Sequence, residues 1–388
     1  MDMLDKRKEE IIQIRRHLHE YPELSFQEEQ TAQYIADFYK GKAVELYTNV
    51  GNGYGIIVKI KGGKPGRAIG LRADFDALPI VEETDLPFKS KHEGVMHACG
   101  HDGHTAYLLV LADCLIQLKD ELAGSVTIIH QHAEEVPPGG AKSIVESGLL
   151  DDLDEVYGIH LLPIGPAGMV GYNKGYVFNG RAYMKLNIQG RGGHGSSPHL
   201  ANDAIVAGAH FVTAVQTIIS RRLSPFDVGV ITIGSFDGAG TFNVIKDRVT
   251  LEGDIRYMTN ETKETIEREV KRLVSGLEAQ FDVGCELTYT PDFPPLYNNP
   301  ELTERVAEAL KNANVNEITE VREVPPMSPS EDFAYYAEKF PACFFYIACS
   351  PKGVEKPFFN HHPKFEIDED ALLVAAKAVG LVVCSSLG

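Results

Sequence analysis

Side chains that bind metal ions occur in four short segments that lie far apart in this sequence. These candidate ligands are Cys99 and His101, Glu134 and Glu135, His160, and His361. Catalytic metal centres are usually assembled from separate segments, and one thiol, three imidazoles and two carboxylates exceed the needs of a single tetrahedral ion. The set therefore predicts two metal ions that share a ligand, with one glutamate left as a proton shuttle, as metal-assisted hydrolysis requires.

The segment M-H-A-C-G-H-D-G-H places Cys99 and His101 on either side of Gly100. A turn at this glycine would direct both side chains to one centre, whereas a helix would separate them by about 200°. The alternative is a small buried cysteine beside a histidine with ordinary polar partners. His97, His101 and His104 have the spacing of a helical face, but the glutamate that follows the first histidine in metalloprotease helices is missing.

Glu134 and Glu135 follow the apolar run V-T-I-I, which is predicted to be a buried strand. If the extended geometry continues, neighbouring residues face opposite ways, so one glutamate can bind metal while the other acts as a base. A solvent-exposed pair in a loop is the alternative. His130 and His132 are interpreted as core or supporting histidines. Asp76 ends the preceding strand, where it would either orient a metal-binding imidazole or cap a turn.

The elements that must position these residues alternate between helix and strand. Residues 5–40 are predicted to be helical with a break at Tyr21 and Pro22, followed by the strands G-I-I-V-K-I and A-I-G-L-R-A-D-F-D. Helices at about 103–119 and 139–147 then alternate with the strands S-V-T-I-I-H-Q-H and E-V-Y-G-I-H-L. Polar residues at strand ends indicate an α/β sheet with its site along that edge.

The pattern changes after Gly171 to a β-α-β-β-α-β order, with helices at about 201–221 and 260–279. That order is typical of a ferredoxin-like module, which is complete in itself and therefore inserted. After Pro291 the α/β pattern resumes, with helices at about 300–312 and 368–385. We predict a mixed-sheet α/β catalytic domain formed by residues 1–178 and 292–388, and an inserted ferredoxin-like α+β domain at 179–291.

Composition excludes several classes of partner. Lys and Arg number 37 against 55 Asp and Glu, which gives a net charge of −18 and disfavours nucleic acid or an anionic membrane. The most apolar stretch, Ala371 to Val383, is shorter than the ~20 residues of a membrane span. The six cysteines show no disulfide spacing, and no export signal begins the sequence. A soluble cytoplasmic protein is expected.

The ordered motifs resemble the amidohydrolase branch of the M20 metallopeptidases, which includes N-acyl-amino-acid, hippurate and auxin-conjugate hydrolases. The resemblance spans essentially the whole chain and is carried by R-R-H-L-H-E-Y-P-E-L-S, L-R-A-D-F-D-A-L-P, M-H-A-C-G-H-D-G-H, A-E-E, G-I-H, G-R-G-G-H-G-S-S-P-H, S-E-D-F and H-H-P. The chain departs from the family at His130 and His132, where relatives usually have an apolar residue and a proline.

The resemblance implies a site with two divalent metal ions per chain, Mn or Zn first and Co or Ni as alternatives. Cys99 would be the shared ligand, and Glu134 would be the general base. The remaining ligands would be His101, Glu135, His160 and His361. His361 rather than the adjacent His362 matches the family position.

The resemblance also implies that the inserted domain serves as a lid and forms a homodimer. His194 would stabilise the oxyanion from the other subunit, although a loop histidine without a role is the alternative. Asn243, Arg256 and Glu331 are candidates for substrate contact. The expected reaction is hydrolysis of N-acyl amino acids, with N-acetyl or aromatic acyl groups, to a carboxylic acid and a free amino acid. The alternatives are a dipeptidase or carboxypeptidase and a non-catalytic metal-binding protein, against which the complete ligand set and Glu134 argue.

Overall fold

The computed structural model describes residues 1–387, which divide into two compact units. Unit 1 is formed by Met1–Val177, Tyr297–Pro326 and the segment from Asp332 to the C-terminus. Unit 2 is formed by Phe178–Leu296 and Met327–Glu331. The main segment of unit 2 thus ends at Leu296 rather than at residue 291, and unit 2 also includes Met327–Glu331, a short segment predicted to belong to the catalytic domain.

The helices and strands follow the alternation expected from the sequence. The helices are α1 Asp2–Asp5, α2 Lys8–Glu20, α3 Glu29–Tyr39, α4 His101–Gln117, α5 Ala141–Glu146, α6 Ala204–Arg221, α7 Asn260–Phe281, α8 Pro300–Lys311, α9 Ala334–Lys339 and α10 Asp370–Leu387. The strands are β1 Glu45–Val50, β2 Gly55–Lys61, β3 Lys64–Asp74, β4 Ala123–Gln131, β5 Glu155–Pro166, β6 Met169–Tyr172, β7 Gly175–Phe178, β8 Gly180–Gln189, β9 Gly193–His194, β10 Gly229–Asp237, β11 Val244–Ile245, β12 Arg248–Tyr257, β13 Gly284–Phe293, β14 Leu296–Asn298, β15 Glu320–Glu323 and β16 Ala342–Ser350.

Unit 1 is built on an eight-stranded mixed sheet with the order β1-β2-β4-β3-β5-β16-β6-β15. The central pairs β4/β3, β3/β5 and β5/β16 are parallel, while β1/β2, β2/β4 and β16/β6 are antiparallel. Strand β16, A-C-F-F-Y-I-A-C-S, is buried along nearly its whole length, as a central strand covered on both faces should be. The predicted mixed α/β fold is confirmed.

Unit 2 has a four-stranded antiparallel sheet with the order β10-β12-β8-β13, and its chain order is β-α-β-β-α-β through helices α6 and α7. Both features are those of a ferredoxin-like module. Buried and partly exposed residues alternate along β8, because only one face of the sheet is covered by helices. The side chains of Asp203 and Thr259 accept hydrogen bonds from backbone N–H groups at the starts of α6 and α7, which fixes where each helix begins.

Two helices, α6 and α10, are long and apolar enough to cross a membrane by length and composition alone. Helix α10 runs to Leu387 and is longer than the apolar stretch considered in the sequence. Helix α10 is 72% buried inside the protein, because it packs into the core of unit 1. Helix α6 buries one face on the sheet of unit 2. Packing within unit 1 accounts for the apolar composition of α10, whereas α6 is only 33% buried.

Candidate metal centre

The candidate ligands of unit 1 meet where the carboxyl ends of its parallel strands lie side by side. Strand register pairs Asp74 at the end of β3 with Gln131 at the end of β4. The pairing of Arg72 with Gly158 brings His160, two residues further along β5, level with the same edge. In open α/β sheets this edge is where ligands bind.

Cys99 lies in the bend before α4, and His101 is the first residue of that helix. Between them Gly100 has a φ of 93°, a left-handed conformation that glycine adopts without strain. The turn at Gly100 lets the thiol and the imidazole face the same space, as the sequence predicted. The glycine is therefore needed for the geometry of this pair.

Two groups of ligand atoms share Cys99. Cys99, His101 and His160 form one group and Cys99, Glu135 and His361 form the other, and within each group the ligand atoms lie within 4.8 Å of one another. Cys99 Sγ is 3.3 Å from His160 Nε2, and Glu135 Oε1 is 3.1 Å from His361 Nε2. This arrangement provides two neighbouring ligand sets with one thiol in common.

Two buried atoms of these groups test whether the site suits a cation. His101 Nε2 and Glu135 Oε1 lie 3.9 Å apart, and neither makes a hydrogen bond within residues 1–387. The contact of Glu135 Oε1 with His361 is within ion-pair distance but lacks hydrogen-bond geometry. Buried polar atoms without partners are costly, so these atoms are suited to metal coordination. The donor set of thiol, imidazole and carboxylate fits Zn²⁺ or Mn²⁺.

Asp76 holds the imidazole of His101 in one orientation. Its Oδ1 and its backbone carbonyl oxygen lie 3.1 Å and 3.0 Å from His101 Nδ1, and its Oδ2 accepts a hydrogen bond from the backbone N–H of Glu135 at 3.0 Å. Because Nδ1 donates to the carboxylate, the lone pair of Nε2 is available to a metal. Burial alone would raise the pKa of Asp76, but its bonds to His101 and the Glu135 N–H lower that pKa below its usual value.

The electrostatics of the ligands favour a cation at this place. Burial would lower the pKa of His101, but the carboxylates of Asp74, Asp76 and Glu135 raise it to about 10. Burial, with the carboxylates of Glu135, Glu134 and Asp74, raises the pKa of the Cys99 thiol well above its usual value. An excess of carboxylates around these groups can hold divalent cations in place of protons.

His160 is held as a neutral imidazole. Burial and the neighbouring His104 and His101 lower the pKa of His160 well below its usual value. Its Nδ1 donates a hydrogen bond to the carbonyl of Leu161 at 2.9 Å, which leaves Nε2 towards Cys99. A neutral imidazole with a free Nε2 lone pair is the form that binds metals.

The turn that carries Glu134 and Glu135 differs from the expected geometry. Strand β4 ends at Gln131, and Ala133 has a left-handed φ of 49°. The extended geometry assumed for the two glutamates is therefore wrong, because the chain changes direction just before them. Glu134 and Glu135 both lie in a ligand group with His101. The sequence A-E-E gives no signal of this turn, since alanine rarely adopts positive φ.

A buried ionic network behind the ligands was not anticipated from the sequence. Asp74 accepts hydrogen bonds from Arg72 and from His104 Nδ1, each at 2.6 Å. His104 Nε2 accepts the backbone N–H of Leu161 at 2.9 Å, so both of its ring nitrogens are engaged. Burial would raise the pKa of Asp74, but Arg72, His101 and His104 hold it well below its usual range. His104 therefore supports the backbone beside His160 from the helix face that contains His101.

The two adjacent histidines of H-H-P have different surroundings. His361 has a left-handed φ of 69°, and its backbone N–H donates to the carbonyl of Ala98 at 2.7 Å. The ring of His362 stacks on Phe358 with centroids 4.2 Å apart, and its Nδ1 accepts the Lys364 N–H. Only His361 of this pair belongs to a ligand group in the described chain.

His130 and His132 are engaged in hydrogen bonds. His130 Nε2 is 2.9 Å from the Tyr39 hydroxyl, and His132 Nε2 is 2.8 Å from Asn52 Oδ1. Burial lowers the pKa of His130 to about 3 and that of His132 to about 4. Both are neutral supporting residues, as interpreted from the sequence.

Unit 2 brings two of its predicted residues together. His194 on β9 is exposed and lies opposite Val244 of β11, next to Asn243. The Asn243 carbonyl accepts the N–H of Gly195 at 2.8 Å. His194 Nδ1 accepts the backbone N–H of Ser196 at 3.2 Å, so the proton of a neutral ring is on Nε2. His194 can therefore act as a hydrogen-bond donor through Nε2.

The other two predicted residues of unit 2, Arg256 and Glu331, are connected through Ser330. Arg256 on β12 donates to Asp254 at 2.8 Å and to the hydroxyl of Ser330 at 2.7 Å. Glu331, which follows Ser330, is buried with 2% of its surface exposed. Arg256 is thus held by Ser330 within unit 2. Its role in binding a substrate stays a prediction.

Comparison with known proteins gives a consistent family relationship. A model of peptidase family M20/M25/M40 matches residues 70–384. The amidohydrolase YhaA of Bacillus subtilis (strain 168) is 42% identical, over 97% of this chain and 94% of that protein. An N-acetyl-L-cysteine deacetylase of the same strain is 37% identical, over 95% of this chain and 86% of that protein. Thermostable carboxypeptidase 1 of Saccharolobus solfataricus is 37% identical, over 98% of each chain.

A solved structure gives the same relationship at the level of the fold. The YXEP protein of Bacillus subtilis, described as a dinuclear metal binding peptidase from the M20 family, has a TM-score of 0.84 to this chain. The two are 31% identical, and the match covers 99% of each chain. The likeness includes the residues of both units.

Proposed function

We propose that this chain, which belongs to peptidase family M20/M25/M40, hydrolyses the amide bond of N-acyl amino acids. The products would be a carboxylate and a free amino acid, and N-acetyl or aromatic acyl groups are the expected acyl groups. Its relatives include an amidohydrolase and an N-acetyl-L-cysteine deacetylase, and they support amide hydrolysis by this chain. The observation that carries the proposal is that two ligand groups share Cys99 beside Glu134.

Two divalent ions per chain, Mn²⁺ or Zn²⁺ first and Co²⁺ or Ni²⁺ as alternatives, would be held by the ligand groups of unit 1. Cys99 would be the shared ligand. His101 and His160 would complete one group, and Glu135 and His361 the other. The buried atoms His101 Nε2 and Glu135 Oε1, which make no hydrogen bond within residues 1–387, support this assignment. When bound, such ions supply Lewis acidity, which polarises an amide carbonyl and makes water more acidic.

Glu134 is the proposed general base. It would take a proton from the water that attacks the amide carbon and deliver it to the leaving nitrogen as the C–N bond breaks. The products are then the acid and the amine, and Glu134 returns to its ionised form. Asp76 would act on the ligand geometry by fixing His101.

His194 is the proposed donor to the oxyanion of the tetrahedral intermediate. Its Nδ1 accepts the Ser196 N–H, which leaves Nε2–H as the donor that this role requires. Unit 2 would act as a lid and as the homodimerisation module, with His194 supplied to the neighbouring subunit. Asn243, Arg256 and Glu331 are the proposed substrate contacts. The partner would be a small molecule in the cytoplasm, since a net charge of −18 disfavours nucleic acid and anionic membrane surfaces.

A carboxypeptidase or dipeptidase is the second candidate. The same site chemistry can cleave a peptide bond, and the 37% identical relative from Saccharolobus solfataricus is a carboxypeptidase by name. The two functions differ in what supplies the carbonyl of the scissile amide, which is a simple acyl group in an N-acyl amino acid and an amino-acid residue in a peptide. The choice is therefore a question of substrate specificity.

An assay on metal-defined protein tests the proposal. N-acetyl amino acids, N-benzoyl amino acids and dipeptides with the same C-terminal residue are compared, with Glu134→Gln as the inactive control. We expect N-acyl amino acids to be cleaved with the highest kcat/KM. Faster cleavage of the dipeptides would favour the second candidate, and equal residual rates in wild type and Glu134→Gln would overturn the catalytic assignment.

A further inference from the structure

The N-terminal motif ending in P-E-L-S has no part in the proposed reaction, yet its last residues lie against the candidate site. Leu24 pairs with Ala77 in a parallel bridge, and the N–H of Ala77 donates to the carbonyl of Glu23 at 2.8 Å. The loop of residues 23–28 therefore runs directly beside Asp76.

Two side chains of this loop contact the parts of the site that hold the glutamates. The hydroxyl of Ser25 donates to Asp76 Oδ2 at 2.7 Å, the same oxygen that accepts the Glu135 N–H. Glu28 is fully buried, and its Oε1 accepts the backbone N–H of Ala133 at 2.8 Å. The loop thus bonds directly to Ala133, just before the glutamate pair, and is linked to Glu135 through Asp76.

The bond from Glu28 is made at the residue that sets the direction of the turn. Ala133 has a φ of 49° and is completely buried. An L-residue with a side chain is strained in this conformation, so its surroundings must stabilise it there. The carboxyl of Glu28 fixes the N–H of that residue, immediately before Glu134.

We propose that Glu28 and Ser25 are positioning residues, which hold the turn from Ala133 to Glu135 so that Glu134 and Glu135 point into the site. The proposal rests on the proposed function, in which these glutamates are the base and a metal ligand. Neither Glu28 nor Ser25 is assigned a contact with substrate.

The state of Glu28 agrees with this role. Burial first, and then the negative charge of Asp76, raises the pKa of Glu28 to about 8. Glu28 is therefore mainly uncharged at neutral pH, and glutamine would preserve both neutrality and the acceptor oxygen. To hold the backbone N–H of Ala133, Glu28 needs an acceptor oxygen and not a negative charge.

Metal affinity tests the proposal independently of the substrate. The affinity of the whole protein for Co²⁺ and Zn²⁺ is measured by chelator competition for Glu28→Ala, Glu28→Gln, Ser25→Ala and the double variant Glu28→Ala/Ala133→Gly. Tyr39→Phe, which breaks a buried hydrogen bond at the far end of α3, is the matched control for lost stability. Loss of a residue that positions a ligand typically weakens metal binding by about 10–100-fold.

We expect Glu28→Ala to weaken affinity by about tenfold or more, and Glu28→Gln and Tyr39→Phe to change it by less than about threefold. Glycine at position 133 adopts positive φ without strain, so the double variant should recover part of the loss. Ser25→Ala should weaken affinity by a smaller factor and shows the effect even if Glu28→Ala does not fold. Unchanged affinity in folded Glu28→Ala, or no recovery in the double variant, overturns the proposal. The failure of N-acyl amino acids as substrates would leave these affinities unaffected.

Discussion

Asp76 and His101 are joined by a hydrogen bond of 3.1 Å between Oδ1 and Nδ1, and the opposite nitrogen of the imidazole is buried without a hydrogen-bond partner in the described part of the chain. The same carboxylate accepts the backbone N–H of Glu135. Asp76 therefore holds an imidazole from α4 through Oδ1 and its backbone carbonyl, and a carboxylate-bearing turn after β4 through Oδ2. The relative position of the two proposed ligands depends on Asp76.

Asp76→Asn should weaken metal binding by about 10–100-fold while the protein stays folded. The amide can still accept the Glu135 N–H, but its NH₂ group then faces the Nδ1–H of His101, which keeps only the backbone carbonyl of residue 76 as an acceptor, so the ring is held less firmly. Chelator competition measures the affinity, and circular dichroism checks the fold. An affinity equal to that of the wild type would show that Asp76 does not orient the ligand.

Glu134→Gln should abolish turnover and leave metal content near that of the wild type, because it removes a base and not a ligand. Glu135→Gln should lose metal as well as activity. Metal content by elemental analysis and kcat under saturating metal separate the two variants. If both lose metal to the same extent, the roles of the two glutamates are wrongly assigned.

Metal-saturated protein should contain two ions per chain. The reason is that two ligand groups share Cys99, and neither group alone uses all five candidate ligands. Cys99→Ala should reduce the content to one ion or fewer, since both groups lose a member. A stoichiometry of one tight ion in the wild type would contradict the shared-ligand arrangement.

His194→Ala should lower kcat by about 10²-fold or more with metal binding unchanged, if this residue stabilises the oxyanion. Mixing His194→Ala with Glu134→Gln subunits tests how it is delivered. Recovery of activity in mixed dimers indicates a His194 supplied by the neighbouring subunit. Absence of recovery despite verified subunit exchange would leave only a role within one chain.

The buried pair of His130 and Tyr39 should make the protein sensitive to acid. The pKa of His130 is about 3 in the folded protein, against about 6.5 for an unfolded histidine, so the unfolded chain binds more protons within that window. The stability that depends on a neutral His130 is present above about pH 6.5, and it is lost as the pH falls towards 3. At pH 5.5 the loss is about 1.4 kcal/mol.

The double variant His130→Leu/Tyr39→Phe should lose less stability between pH 7 and pH 5.5 than the wild type, as measured by urea unfolding. His130→Leu alone should be less stable than the double variant by about 1–3 kcal/mol, because the Tyr39 hydroxyl is left buried without a partner. An identical pH dependence in wild type and double variant would exclude His130 as a source of acid sensitivity.

The fold and the convergence of the candidate ligands were predictable because strand ends in an α/β sheet meet at one edge. Residues of metal-binding types at those strand ends, such as His160, were then identified as candidate ligands. The orientation of Glu134 and Glu135 was not predictable, since it depends on a left-handed Ala133 that is held by tertiary contacts. The network of Arg72, Asp74 and His104 was missed for a similar reason, because its charges compensate one another only in the folded protein.

Short elements were also outside the reach of the sequence pattern. Strands β6 and β15 have four residues each, too few for a period to be recognised, and their pairing adds the last two strands to the sheet. Helix α5 spans Ala141–Glu146 and is shorter than the predicted 139–147, because the turn after Glu135 continues to Gly140. These differences lie in connections, whereas the long periodic elements were predicted within a few residues.

Because β16 lies between β5 and β6, the large sheet can be completed only late in synthesis. The ribosome delivers β5 early, then all of residues 178–296, and only afterwards the strand that fills the gap in the large sheet and the loop with His361. Unit 2 can therefore become protease-resistant on the ribosome while unit 1 still exposes unpaired strand edges. Nascent chains halted before Ala342 should show this difference in limited proteolysis. Metal capture would then be the last event in the maturation of the polypeptide.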